Sequence, residues 1–155
     1  MVEQTPPAEG RGPGGDHLVR FRDDDAAAEV AVTVDAFVDQ PSASAVRVEP
    51  GDDARELIPH LERVALVEVN FPAFGDGRGY SSARILREAG YDGELRAVGD
   101  VLVDQVAYMR RCGFDAFDPE EPLDESDLKA ALERWPHVYQ NAADTRTPIW
   151  SKRHA

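Results

Sequence analysis

Four short segments, separated by helix-like stretches, alternate between apolar and polar side chains. That alternation restricts the fold more than any other feature of the chain. Val46 and Val48 alternate with Arg47 and Glu49, and Val67 and Val69 with Glu68 and Asn70. Leu95 and Ala97 alternate with Glu94 and Arg96, and Phe114 and Ala116 with Asp115. A period of two puts the charged set on one face of a sheet. Strands covered on both faces of a parallel sheet read instead as continuous apolar runs.

The segments between them carry helix signals. Asp52-Asp53 precedes Leu57, Ile58, Leu61 and Val64, with Pro59 interrupting. Ser81 to Ala89 is followed by Gly90 as a C-terminal stop. Asp100 stands as a cap ahead of Val101, Leu102, Val106 and Met109, closed by Gly113. Asp124 or Ser126 opens a last helix with Leu128, Ala131, Leu132 and Trp135, stopped by Pro136. Strand–helix repetition at this spacing predicts βαβ units with right-handed crossovers.

The expected fold is thus α/β, with about four parallel strands near 45–49, 65–71, 94–98 and 114–117 and helices mainly on one face. Two arrangements satisfy it. One is a two-layer sandwich whose second face is wetted or lightly covered by the N-terminal segment. The other is a half-barrel in which Arg47, Glu49, Glu68, Glu94 and Arg96 form an interior charge network. Such a network must pair closely, because unpaired buried charges are strongly destabilising.

The chain ends carry weaker signals. Residues 1–17 are rich in Pro, Gly and acidic groups and read as a disordered tail. Residues 18–151 read as a single domain and 152–155 as a loose end. Leu18 to Arg22 suggests a short edge strand. Val30 to Val34 has strand composition, and Ala36 to Val38 either extends it or turns into a helix. Tyr139, Ile149 and Trp150 are candidates for pinning the C-terminal segment to the body.

Composition excludes several function classes. The net charge is −13, from 30 acidic and 17 basic residues, so nucleic acid and anionic membrane surfaces are repelled. The single cysteine, Cys112, rules out an internal disulfide, a cysteine-based zinc site and an iron–sulfur cluster. No apolar run approaches the length of a membrane span, and the first 17 residues lack a signal-peptide core. The expectation is a cytoplasmic protein. His17, His60, His137 and His154 show no ligand spacing, so no metal site is expected. Nor is a tightly bound flavin, haem or other cofactor.

Candidate chemistry gathers beyond the carboxyl ends of the strands, where open parallel sheets bind ligands. The run Phe71-Pro72-Ala73-Phe74-Gly75-Asp76-Gly77-Arg78-Gly79-Tyr80-Ser81 lies between a strand and a helix. It is neither a dinucleotide fingerprint nor a phosphate-binding Walker loop, since the required glycine and lysine positions are not met. Asp76, Gly77, Arg78, Gly79, Tyr80, Ser81 and Arg84 nevertheless combine glycine backbone, hydroxyls and guanidiniums suited to an oxyanion or a partner surface. The plainer alternative is a glycine turn tied down by an Asp76–arginine salt bridge. Arg96, Gly99, Asp100, Asp104 and Gln105 complete the candidate set from the next strand and helix.

Three stretches carry a family resemblance. Phe71-Pro72 through Ala83-Arg84, Gly93-Glu94-Leu95-Arg96-Ala97 through Asp104-Gln105, and Arg111-Cys112-Gly113-Phe114-Asp115-Ala116-Phe117 resemble an uncharacterised bacterial family. It is domain of unknown function 934, described as an oxidoreductase component of sulfite reduction. The likeness spans roughly residues 29–151 and includes Tyr139-Gln140. The N-terminal 28 residues depart from the family pattern, and the Ala89-Gly90-Tyr91 turn is one residue shorter. The resemblance implies a role in assimilatory sulfite or sulfate reduction, as an accessory protein or oxidoreductase component. It implies partners among the proteins of that pathway and supplies no catalytic residues. The residues leave open a small enzyme or binding module for a sulfur oxyanion or phosphorylated nucleotide, and a homodimer.

Overall fold

The computed structural model describes residues 17–154. The expected disordered tail at 1–17 therefore falls almost wholly outside the described residues. Among the described residues six strands form one sheet: β1 (Val19–Arg20), β2 (Val32–Thr33), β3 (Ala45–Val48), β4 (Leu66–Phe71), β5 (Glu94–Gly99) and β6 (Ala116–Pro119). Helices α1 (Val34–Asp39), α2 (Arg78–Glu88), α3 (Val103–Cys112) and α4 (Glu125–Glu133) follow β2, β4, β5 and β6. A 3-10 segment, Ala54–Arg63, follows β3. Asp53 caps it, and Pro59, with no amide to donate, sits inside it. A second 3-10 stretch, Ile149–His154, takes in most of the expected loose end.

The strand order is β1-β6-β5-β4-β3-β2. All pairs are parallel except β1 on β6. Strands β2 to β6 lie side by side in chain order, so right-handed crossovers place every connection on the same face. That face carries the apolar set: Val46, Val48, Val67, Val69, Leu95, Ala97 and Phe117 pack in one buried cluster with Leu57, Leu86, Val106 and Met109. The order is that of a barrel, but β1 and β2 end at opposite edges and do not meet. The sheet is an open two-layer structure.

On the other face the register lines up a row of charges. Arg47 lies beside Glu68 and Glu68 beside Arg96. Arg47 donates to Glu68 Oε2 from Nε at 3.0 Å and Nη2 at 2.8 Å. Arg96 approaches Glu68 at 3.6 Å and Glu94 at 2.9 Å, and Arg20 reaches Glu94 at 3.2 Å. The signs alternate from Arg47 to Arg20, and Arg96, at the centre, is completely buried. Glu49, expected in this network, is instead held by Asn70 at 2.8 Å.

Several local expectations are corrected. α2 begins at Arg78 rather than Ser81, because Gly77 serves as its N-cap. α3 begins after Leu102, not after Asp100, and Leu102 is exposed rather than inward. The last parallel strand is 116–119 rather than 114–117, and its phase is inverted. Ala116 pairs with Arg96 on the charged face, and Phe117 joins the core. Asp115 lies before the strand and binds Arg22 and Arg87 at 2.7 and 2.9 Å. Ile58 and Trp135 are exposed. The C-terminal segment is held by Arg111, which binds Asp144 at 2.6 Å, while Tyr139 and Trp150 remain exposed.

Candidate functional site

Two glycines fix the mouth of the sheet. Gly99 has φ +94, and a Cβ there would lie 2.4 Å from the Phe71 carbonyl oxygen. The close approach lets Asp100 N–H donate to Phe71 O at 2.8 Å and Glu120 N–H to Gly99 O at 2.9 Å. Gly79 lets α2 settle on β4, since a Cβ there would sit 2.6 Å from the Phe71 ring. Of the three candidate site glycines, Gly79 and Gly99 are thus required by packing, while a Cβ on Gly77 would meet nothing within 4 Å.

Above this floor, two side chains grip one loop residue. Asp100 Oδ2 accepts the Phe74 N–H at 2.9 Å, and Gln105 Nε2 donates to Phe74 O at 2.7 Å. The same Gln105 amide accepts the Leu102 N–H at 3.1 Å, returning to the first free amide of α3. The backbone of Phe74 is held on both sides while the residue remains 54% exposed. Burial of apolar surface does not explain that placement, because a free aromatic ring in water is unfavourable by itself.

Asp76 makes a local fork. It accepts from the Arg78 backbone at 3.1 Å and from the guanidinium at 3.0 and 2.6 Å. The Arg78 hydrogen bonds hold the Asp76 carboxyl below the ordinary carboxylate range. The salt bridge allowed by the sequence is therefore present, in a solvent-facing pair. Gly77 caps α2, and Ser81 is exposed in its first turn. Tyr80 packs edge-on to Phe71 at 5.5 Å and lies 5.4 Å from Tyr108.

The remaining predicted residues scatter. Arg84 pairs with Glu88 at 2.9 Å and lines a separate groove of about 240 Å³ with Tyr108, Arg111, Cys112 and Gln140. Arg96 is buried under the opposite face, inside the charge row. Asp104 is exposed and 3.7 Å from Arg134. The structure thus brings together Asp76, Gly77, Arg78, Gly99, Asp100 and Gln105 around the loop and leaves Arg84 and Arg96 elsewhere. Cys112 is buried, and burial raises its thiol pKa. Among the described residues no group of three His, Cys, Asp or Glu side chains is placed to hold a metal ion, and no helix is long and apolar enough to cross a membrane.

Phe74 itself is the residue missed by motif reasoning. Its signal was present: a large apolar side chain in a Pro/Gly loop, outside the period of strand or helix.

The fold and this surface define an α/β protein with a sequentially ordered sheet and a loop residue presented at its strand ends. The sequence matches the family described as "Bacterial protein of unknown function (DUF934)" over residues 45–150, and the chain belongs to that family. No curated protein and no solved structure matches it.

Proposed function

We propose that the protein is an accessory, partner-binding component of assimilatory sulfite reduction in the cytoplasm, acting through its strand-end surface. The observation that carries this reading is the grip of Asp100 and Gln105 on both backbone groups of Phe74, with the ring left in solvent. A side chain held out in this way suits docking. The arrangement gives less support to an oxyanion or nucleotide site. That chemistry needs several guanidiniums converging on one point, whereas Arg78 is folded on Asp76 and Arg84 and Arg96 lie elsewhere. The sulfite assignment itself rests on the family resemblance.

The test is complementation of a deletion strain grown with sulfite, or with a reduced sulfur source, as sole sulfur supply. Phe74→Ser should impair growth on sulfite and leave growth on reduced sulfur intact. The residue is exposed, so the unfolding free energy should stay within about 1 kcal/mol of the parent. Full complementation by Phe74→Ser would overturn the reading.

A further inference from the structure

Resting on that reading, we propose that the strand-end surface docks a protein partner whose contact site is an apolar socket ringed by arginine and lysine, with the Phe74 ring entering the socket.

Three features define that occupant. The first is apolar and presented. Phe74 is 54% and Leu102 41% exposed, and the one Gln105 side chain bonds the backbone of both. One side chain therefore joins the backbones of two adjoining loops, each of which carries an exposed apolar residue.

The second is charge. The connections 49–53, 72–77, 100–102 and 120–124 hold three, one, one and three carboxylates, and no arginine, lysine or histidine. The basic residues that reach this end are matched by carboxylates: Arg55 and Arg78 fold back onto Asp53 and Asp76, and Arg134 lies 3.7 Å from Asp104 in the first turn of α3. Helix capping accounts for Asp53 and Asp124, which accept first-turn amides. It does not account for Glu120 and Glu121, which are exposed. The opposite end of the sheet carries Arg22, Arg63, Arg87 and Arg111, three of them paired with Asp115 or Asp144. An acidic rim around two apolar side chains is complementary to a basic rim around a hollow. It disfavours a like-signed rim on a second copy, and anionic nucleic acid or lipid.

The third is access. A Cβ on Gly75 or Gly77 would meet nothing within 4 Å, and neither has positive φ. Nothing in the chain's own packing asks for glycine at Gly75, and Gly77 serves the fold only as the N-cap of α2. Their bare backbone lets another surface approach closely beside Phe74.

The experiment replaces Phe74 with p-benzoyl-phenylalanine in the full chain, expressed in a bacterium that encodes it, and irradiates cells and fresh lysate. The same probe at Ile58, an exposed apolar position beside Ala89 to Asp92, is the control. The expected result is one dominant protein adduct at position 74, joined through a peptide from an Arg/Lys-rich surface. Its yield in lysate should fall about tenfold as salt is raised from low to high, as screening predicts for a charge-matched contact. The proposal is overturned by an adduct no stronger than at Ile58, by crosslinking to an acidic or uncharged surface, by a second copy as the dominant adduct, or by a salt-insensitive yield. Failure here with Phe74-dependent growth on sulfite retained would leave the accessory role standing. A basic adduct without that growth dependence would do the reverse.

Discussion

The carboxylate of Asp100 holds the backbone N–H of Phe74 at 2.9 Å across 26 residues of sequence. The bond ties the loop after β4 to the end of β5. It restricts the loop from the neighbouring strand rather than from within. Asp100→Ala should therefore speed hydrogen exchange at the Phe74 amide while leaving exchange in β4 and β5 unchanged. The stability loss should be about 1 kcal/mol or less, since the freed amide is near solvent. Unchanged exchange at Phe74 would mean the loop is held by other means.

The glycines separate by what surrounds them. Gly99→Ala forces a Cβ to 2.4 Å from the Phe71 carbonyl oxygen at φ +94, and should destabilise by about 1–3 kcal/mol. Gly75→Ala meets open space and should be neutral or slightly stabilising, because it restricts the unfolded chain. Thermal melts of the two variants side by side check this. Equal effects would refute it.

Breaking the charge row at its centre should be costly. Arg96→Met removes the guanidinium that faces Glu94 at 2.9 Å and Glu68 at 3.6 Å, leaving buried carboxylates short of a partner. A loss of about 3–5 kcal/mol in urea unfolding is expected. Arg47→Met, at the more exposed end of the row, should lose much less.

Alkaline pH should weaken the fold through two buried groups. Burial raises the Cys112 thiol above its ordinary 9.0 and the Tyr91 phenol above its ordinary 10.0. In each case the unfolded chain gives up its proton first. Their contribution is complete below the unfolded values and is lost as pH rises through the folded ones. Urea midpoints should hold up to about pH 8.5 and fall beyond it. Cys112→Ala combined with Tyr91→Phe should flatten that fall, even if the double variant is less stable at neutral pH.

How much of this was legible in the sequence depended on the range of each interaction. The alternation at Val46–Glu49, Val67–Asn70 and Glu94–Ala97 is local, and it gave three strands and the one-sided helix layer. It failed at Phe114–Phe117, where Phe114 packs into the core from the turn before β6 and mimics strand periodicity. The two-residue strands β1 and β2 had little local pattern, because their positions are set by Phe117 and Val46. Asp100 read as a helix cap because capping is the common short-range use of an aspartate after a strand. Its actual partner is a backbone amide in another loop. By sequence Arg96 is both a site candidate and part of the charged face, and its complete burial removes it from the mouth of the sheet.

The pairing of Val19 with Phe117 also bears on the order of assembly. Strands β2 to β6 each pair with the one before it in the chain. β1 is made before all of them, yet its place exists only after β6 has formed. Until then Arg20 is absent from Glu94, and the far edge of the growing sheet is unpaired. An unpaired edge is where a second chain can add. Among the described strands the first in the chain can take its place only beside the last, and a chain lacking β1 would retain the edge that it covers.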